Sequence, residues 1–394
     1  MTNDTTDLAL SANAPSGSLA RARWSTRVQF TALGIVSGAW GAHVPSIKQH
    51  FGLTEVSLSM ILLACACGVL FSLMIVGRVV EKLTARGAAL VGGLLIATAL
   101  ATILHAPGFA FALPVAFLLG ASLSLFDVSI NAEGTELEHV GGKPIMSNLH
   151  GMFSTGGMAG AALVAFLLRL GMPPAEQLAL ICGVLAVVTT LASRGMLVTH
   201  STSDEPQEHF AWPRGLLLVI GLLILGGMIA EGVMYDWGVL YLKQEVGMPL
   251  DQAALGYAAF SAAMALSRFS GDYLRERFSE QLLLLVGGAT AAVAMAIVLV
   301  SGSAWIALAG FVLVGAGLAP VAPVLFSAAT RVPGVSRAAA IASVTSIGYA
   351  GFMVGPPLIG GLAHATSLTV ALSIVVLSAA LLAFGARFVP AKGD

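Results

Sequence analysis

Gly156-Gly157-Met158-Ala159-Gly160 returns 195 positions later as Gly351-Phe352-Met353-Val354-Gly355. Working outward, Lys48-Gln49-His50-Phe51-Gly52 returns at the same offset as Lys243-Gln244-Glu245-Val246-Gly247. One short echo arises by chance in a chain with 45 glycines; two sharing an offset point to a unit copied and joined to itself. The copied unit is strongly apolar, and internal duplication is how many membrane bundles with two related halves are built.

Hydrophobic residues make up 57% of the chain, charged residues 10%, and the mean hydropathy is +0.91. A soluble domain carries about 25% charged residues because water must wet its surface. A chain this poor in charge has the bilayer as its solvent. A net charge of −1, with no basic run interleaved with aromatics, argues against nucleic acid as a partner. Cys65, Cys67 and Cys182 all lie in apolar runs, without the spacing of a metal site. No phosphate-binding loop, paired-histidine helix or nucleophile elbow occurs, so neither an enzyme nor an ATP-driven pump is expected. No cofactor or metal is expected either.

A membrane-crossing helix needs about 20 mostly apolar residues. That ruler predicts spans at 27–45, 56–77, 87–105, 109–132, 144–169, 177–197, 215–241, 252–271, 281–301, 304–328, 338–363 and 367–388. With the N-terminus inside, Lys48, Arg169 and Lys243 alone among the 19 Lys and Arg fall outside, the bias the positive-inside rule predicts. The expectation is an all-α membrane protein of twelve transmembrane helices, two pseudo-symmetric six-helix bundles with both termini cytoplasmic. Residues 1–24 read as a disordered cytoplasmic tail, 25–199 as the first bundle, 200–213 as a polar linker and 214–390 as the second bundle.

Gly77-Arg78-Val79-Val80-Glu81-Lys82-Leu83-Thr84-Ala85-Arg86 follows the second span, and Arg268-Phe269-Ser270-Gly271-Asp272-Tyr273-Leu274-Arg275-Glu276-Arg277 the eighth. Both resemble the loop motif of the major facilitator superfamily, Gly-x-x-x-Asp-Arg/Lys-x-Gly-Arg/Lys-Arg/Lys. Gly77, Arg78, Glu81, Lys82 and Arg86, with Arg268, Asp272, Arg275 and Arg277, are therefore the candidate gating loops. An acidic group at a helix end can latch onto facing bases and helix termini. The first copy departs from the pattern, with Glu81 for Asp, Thr84 for Gly and Ala85 for a base, so its latch is expected to be weaker.

Three stretches narrow the resemblance: Phe126-Asp127-Val128-Ser129-Ile130-Asn131, Glu231-Gly232-Val233-Met234-Tyr235-Asp236-Trp237, and Gly348-Tyr349-Ala350-Gly351 leading to Gly355-Pro356-Pro357. With Pro144-Ile145-Met146-Ser147-Asn148-Leu149-His150-Gly151 they resemble the fucose-permease-like branch, closest to its YbjJ-type inner-membrane members. The resemblance covers nearly all of 25–390. It implies the fold, an inner (plasma) membrane location and secondary transport by alternating access. It also links a carboxylate at the place of Asp127 to proton coupling. Relatives carry an aspartate in the first span where this chain has Gly41, which puts a two-carboxylate scheme in doubt.

Ionisable groups inside a bilayer are costly and usually face a cavity, a partner or a proton path. Ser124, Asp127 and Asn131 share one face of the fourth span; Ser147, His150 and Ser154 form a polar stripe on the fifth. His150 is the one histidine placed inside a predicted span away from its ends. Asp127 and His150 on neighbouring helices could exchange a proton or share a solute hydroxyl, and a core histidine bonded to a neighbour is the alternative. Glu231 and Asp236 lie about 140° apart on the seventh span, so one of them is expected to face the cavity, with Glu231 and Tyr235 preferred and Asp236 at the outer rim. Asp127, Glu231 and His150 are the proton-coupling candidates.

Trp40, Trp237 and Tyr349 each offer a flat face and a polar edge, for stacking on a sugar-like ring or, for Trp237 equally, for anchoring in the interface belt. With Asn131, Ser154, Tyr235 and Asp236 they complete the substrate-binding candidates. The small-residue pairs Gly156/Gly160 and Gly351/Gly355 predict close helix crossings, and Pro320, Pro323, Pro356 and Pro357 predict bends. No Lys or Arg falls deep in a predicted span; Arg78 and Arg268 are expected to snorkel at the cytoplasmic edge. An anionic solute would want a buried cation to offset its desolvation. The expected partners are thus a small neutral or cationic solute, protons and lipid, with the protein a monomer. Proton symport of a sugar-like solute is the leading reading and proton-antiport export of a drug or metabolite the second.

Overall fold

The computed structural model describes residues 16–143, 145–197 and 213–390; the predicted linker lies almost wholly outside them, as do Pro144 and residues 1–15. The first half comprises α1 (Ser16–His50), α2 (Glu55–Thr102), α3 (Phe109–Gly141), α4 (Met146–Arg169) and α5 (Pro174–Ser193). The second comprises α6 (Gly215–Gln244), α7 (Leu250–Phe269), α8 (Gly271–Arg277), α9 (Glu280–Ser301), α10 (Ala304–Leu318), α11 (Val321–Ala329), α12 (Arg337–Ala365), α13 (Leu368–Ala371) and α14 (Ser373–Gly385). Among the described residues, nine helices are long and apolar enough to cross a membrane; α1 and α7 fall short of that hydropathy. Helix α1 starts inside the stretch read as a tail, where Leu19-Ala20-Arg21-Ala22-Arg23 are good helix formers.

Both echoes have local causes. Gly52 (φ +61°) and Gly247 (φ +75°) take the left-handed turn that stops a helix, with Leu53 N donating to Lys48 O and Met248 N to Leu242 O. Gly156 and Gly160 leave α4 without side chains where the Thr31 and Ile35 carbonyls of α1 press against it. The second copy is looser: Gly351 meets Ile229 and Leu225 side chains, and Gly355 has nothing within 4 Å. The predicted close crossing therefore holds for Gly156/Gly160 and fails for Gly355, because α12 meets α6 mainly through side chains, the Leu225 carbonyl alone coming near Gly351.

Helix α2 is two legs joined at Thr84, the only non-glycine with positive φ among the described residues (φ 63°, ψ 162°). Pro320 separates α10 from α11, and Pro356 and Pro357 sit within α12. Packing repeats between halves: α1 lies on α4 as α6 lies on α12, and α2 on α5 as α9 on α14. The halves meet through α4 on α7, α2 on α12, and α1 on α6.

Candidate functional site

Between the halves lies a cavity of about 910 Å³. Trp40, Cys65, Ser124, Asp127 and His150 line it from the first half; Glu231, Tyr235, Asp236, Arg268 and Tyr349 line it from the second. Its walls also include Gly271 and Arg275 of the second loop motif, Met146 at the start of α4 and Phe326 of α11. At the opposite ends the halves touch. Lys243 Nζ donates to Gln49 Oε1 at 3.1 Å, and Gly360 is pressed on Ser59. Deeper in, Gly41 lies under the Tyr257 ring and beside the Tyr235 carbonyl, leaving no room for a side chain. The described chain ends near the mouth: Gln281 donates to Val389 O at 3.0 Å and Arg331 to Pro390 O at 3.3 Å.

Asp127 is partly exposed to the cavity and braced from behind. Asn131, one turn on, donates Nδ2 to Asp127 Oδ1 at 3.0 Å and to its carbonyl at 2.8 Å. Asn131 does not line the cavity, so the amide predicted to bind solute instead orients the carboxylate. His150 opens on the same cavity, its ring edge-on to Phe30 at 5.6 Å. Among the described residues no hydrogen bond joins it to Asp127; the two share a chamber rather than a contact.

Arg268 corrects the expectation of a snorkelling edge arginine. It reaches into the cavity, where Nη1 donates to Ser154 Oγ at 2.7 Å and Nη2 to Glu231 Oε1 at 3.1 Å. Ser154 is 1% exposed and off the cavity wall, so its hydroxyl serves the guanidinium rather than a solute. The signal was in the motif: Arg268 precedes Asp272 by four residues, where the first copy has Gly77 four before Glu81. The Asp272 side chain lies outside what is described.

Glu231 and Asp236 both line the cavity, because it wraps more than a third of the circumference of α6 at that depth. The Tyr235 hydroxyl is buried beside Ser261, its ring 5.0 Å from those of Tyr257 and Phe260. Trp40 and Tyr349 are on the cavity wall, whereas Trp237 is 1% exposed within the core and off the main cavity. The exposed tryptophans are instead Trp24 and Trp305, 63% and 82% exposed near the starts of α1 and α10.

The loop motifs differ from each other. Gly77, Arg78, Glu81 and Lys82 are exposed and Arg86 partly buried. In the second copy, Arg275 donates to Glu280 at 3.1 Å, Arg331 donates to the other oxygen of that carboxylate, and Arg277 stacks on Tyr273. Glu280, 3% exposed, does not stand out in the sequence, because it lies between the loop motif and the predicted span 281–301. Nor does His43, fully buried on α1 with Nδ1 3.2 Å from Ser46 Oγ; the predicted span ends at 45, but the helix runs to His50.

The sequence profile of the Major Facilitator Superfamily matches residues 217–393. An uncharacterized MFS-type transporter of Yersinia pestis is 34% identical over 93% of this chain and 95% of its own length. Membrane protein MosC of Rhizobium meliloti is 31% identical over 91% of this chain and 88% of its own. Among solved structures, the Escherichia coli fucose:proton symporter FucP superimposes with a TM-score of 0.63 at 18% identity, covering 93% of this chain and 98% of that one. The nucleoside transporter NupG gives 0.72 at 13% identity, covering 92% and 99%. At such identities the structural likeness speaks for the fold alone.

Proposed function

Because the chain belongs to the major facilitator superfamily and is a multi-pass membrane transporter, we propose that it moves a small polar solute across the inner membrane by proton-coupled alternating access. The observation that carries this reading is the chamber between the halves, shut at the Gln49–Lys243 end and lined by carboxylates from both. Twelve passes follow if the two legs of α2 are counted separately and α1 and α7 are added to the nine apolar helices. The cation bias then puts both termini, and the mouth of this conformation, in the cytoplasm.

Within this reading Asp127 is the proton carrier. It faces the chamber, has no cationic partner among the described residues, and is held by an amide that serves either charge state by turning its dipole. Glu231 is neutralised by Arg268, which suits it to a structural role. Uptake of a neutral, sugar-like solute by symport remains the leading form, with Trp40 and Tyr349 as stacking faces. Export of a cationic drug or metabolite by antiport is supported by a specific count. Once Arg268 is set against Glu231 and Arg275 against Glu280, Asp127 and Asp236 are left as the chamber's acids.

The test is purified monomer in liposomes enclosing a pH-sensitive dye, challenged with sugars, polyols and amines. Solute-driven proton entry identifies symport and solute-driven exit antiport. Asp127→Asn should lower proton flux by two orders of magnitude or more while solute exchange without a gradient persists. Wild-type proton flux in both Asp127→Asn and Glu231→Gln rules out proton coupling through these groups.

A further inference from the structure

Asp236 borders two spaces. One is the chamber; the other is a cleft of about 20 Å³ between α6 and α12, lined among others by Met228, Asp236, Trp237, Phe352 and Pro356. Glycines hold the cleft open: Gly232 comes from α6, and Gly351 and Gly355 from α12, the last with nothing within 4 Å. The second glycine echo thus leaves a gap where the first makes a crossing. A cavity above roughly 10–15 Å³ admits one water.

The cleft also holds an acceptor. Proline has no N–H, so Pro356 within α12 leaves the carbonyl four residues back, on Phe352, without its helical donor. Phe352 and Pro356 both line the cleft, which puts that carbonyl on the helix face turned toward Asp236. Pro357 frees the Met353 carbonyl in the same way, but neither of those residues lines the cleft. An orphan carbonyl in an apolar wall wants a donor. A carboxylate has none to give, whereas a carboxylic acid has its O–H, delivered directly or through one water. With the acid ionised, the negative ends of carboxylate and carbonyl face each other in surroundings too apolar to screen them. No Lys, Arg or His reaches Asp236 among the described residues. The titratable groups within range are Cys65 on α2 and Tyr257 on α7, a thiol and a phenol that are neutral at physiological pH. We infer that Asp236 is a second proton-binding group of the chamber, positioned by the Phe352 carbonyl that Pro356 sets free. The proton comes from chamber water; its arrival fastens α6 to α12 at the prolines and its loss releases them. The use of this proton in transport rests on the proton-coupled reading above, but its binding does not.

The test is an infrared titration of the full-length protein in lipid bilayers, from acid to alkaline pH, following the C=O stretch of protonated carboxyl groups. A band lost in Asp236→Asn belongs to Asp236. Pro356→Ala returns a helical N–H to the Phe352 carbonyl. It should lower the proton affinity read from that band about tenfold, the scale of one hydrogen bond, and raise the band's frequency. Pro357→Ala straightens the same helix at a carbonyl away from the cleft and should leave both unmoved. A Pro356 that only shapes α12 would change the melting temperature and leave the band in place. The inference is overturned if no band depends on Asp236, if Pro356→Ala leaves it unmoved, or if both proline variants shift it equally. Failure of the proton-coupled reading looks different: solute flux without proton flux in the liposome assay, with the Asp236 band and its shift intact.

Discussion

Thr84 is a β-branched residue in a backbone region that otherwise belongs to glycine, at the position where the superfamily motif has glycine. The chain has kept the shape of the turn between the legs of α2 and lost the residue that makes it easy. What Thr84 offers in return is a cap, its Oγ1 accepting from Gly87 N at 3.3 Å. Relief of the strain is worth about 1–3 kcal/mol, and loss of the cap costs about 0.5–2 kcal/mol. Thr84→Gly should therefore raise the melting temperature in detergent, whereas Thr84→Ala, which loses the cap and keeps the strain, should lower it. The same scale shows why some residues were legible and others not. A carboxylate such as Asp127 stands out in an apolar run wherever it points. The role of Arg268 was hidden because sequence gives a residue's depth along a helix but not the reach of a long side chain, and here that reach carries the charge from the predicted edge into the chamber.

At the level of elements, the glycine echo predicted two equal crossings and the helices make one. On α4 the neighbours of Gly160 are backbone atoms of α1, which cannot yield. Gly160→Val should cost stability at the upper end of the roughly 1–3 kcal/mol of overpacking, or abolish assembly. Gly355→Ala meets open space on α12 and should be neutral or mildly stabilising, by up to about 1 kcal/mol of helix propensity. Melting curves of the two variants in one detergent decide the matter; equal losses would mean that α12 is tighter than it stands here. Spans were readable because hydropathy is a property of many residues at once. Which face of a span touches a neighbour depends on tertiary packing, so Trp237 could be placed on its helix but not assigned to the core rather than the belt.

For the whole molecule, duplication predicts matching halves, and the helix pairings match. The chemistry does not repeat: positions 195 residues on from Asp127 and His150 are Ala322 and Thr345. The common part is a scaffold that can rock, and the closed end between Gln49 and Lys243 must part for it to do so. Cysteines at these two positions, joined by a short bifunctional cross-linker, should stop solute flux in liposomes and release it when the linker is cleaved. Undiminished flux through cross-linked protein would mean that this end never opens. The Tyr257 ring on Gly41 bears on a different question, how freely such a protein can change. An aspartate at position 41, as the related permeases carry, collides with a ring from the other half. Gly41→Asp meets the Tyr257 ring and the Tyr235 carbonyl together, so in this conformation its cost depends on what stands at 257, and the two sites are epistatic.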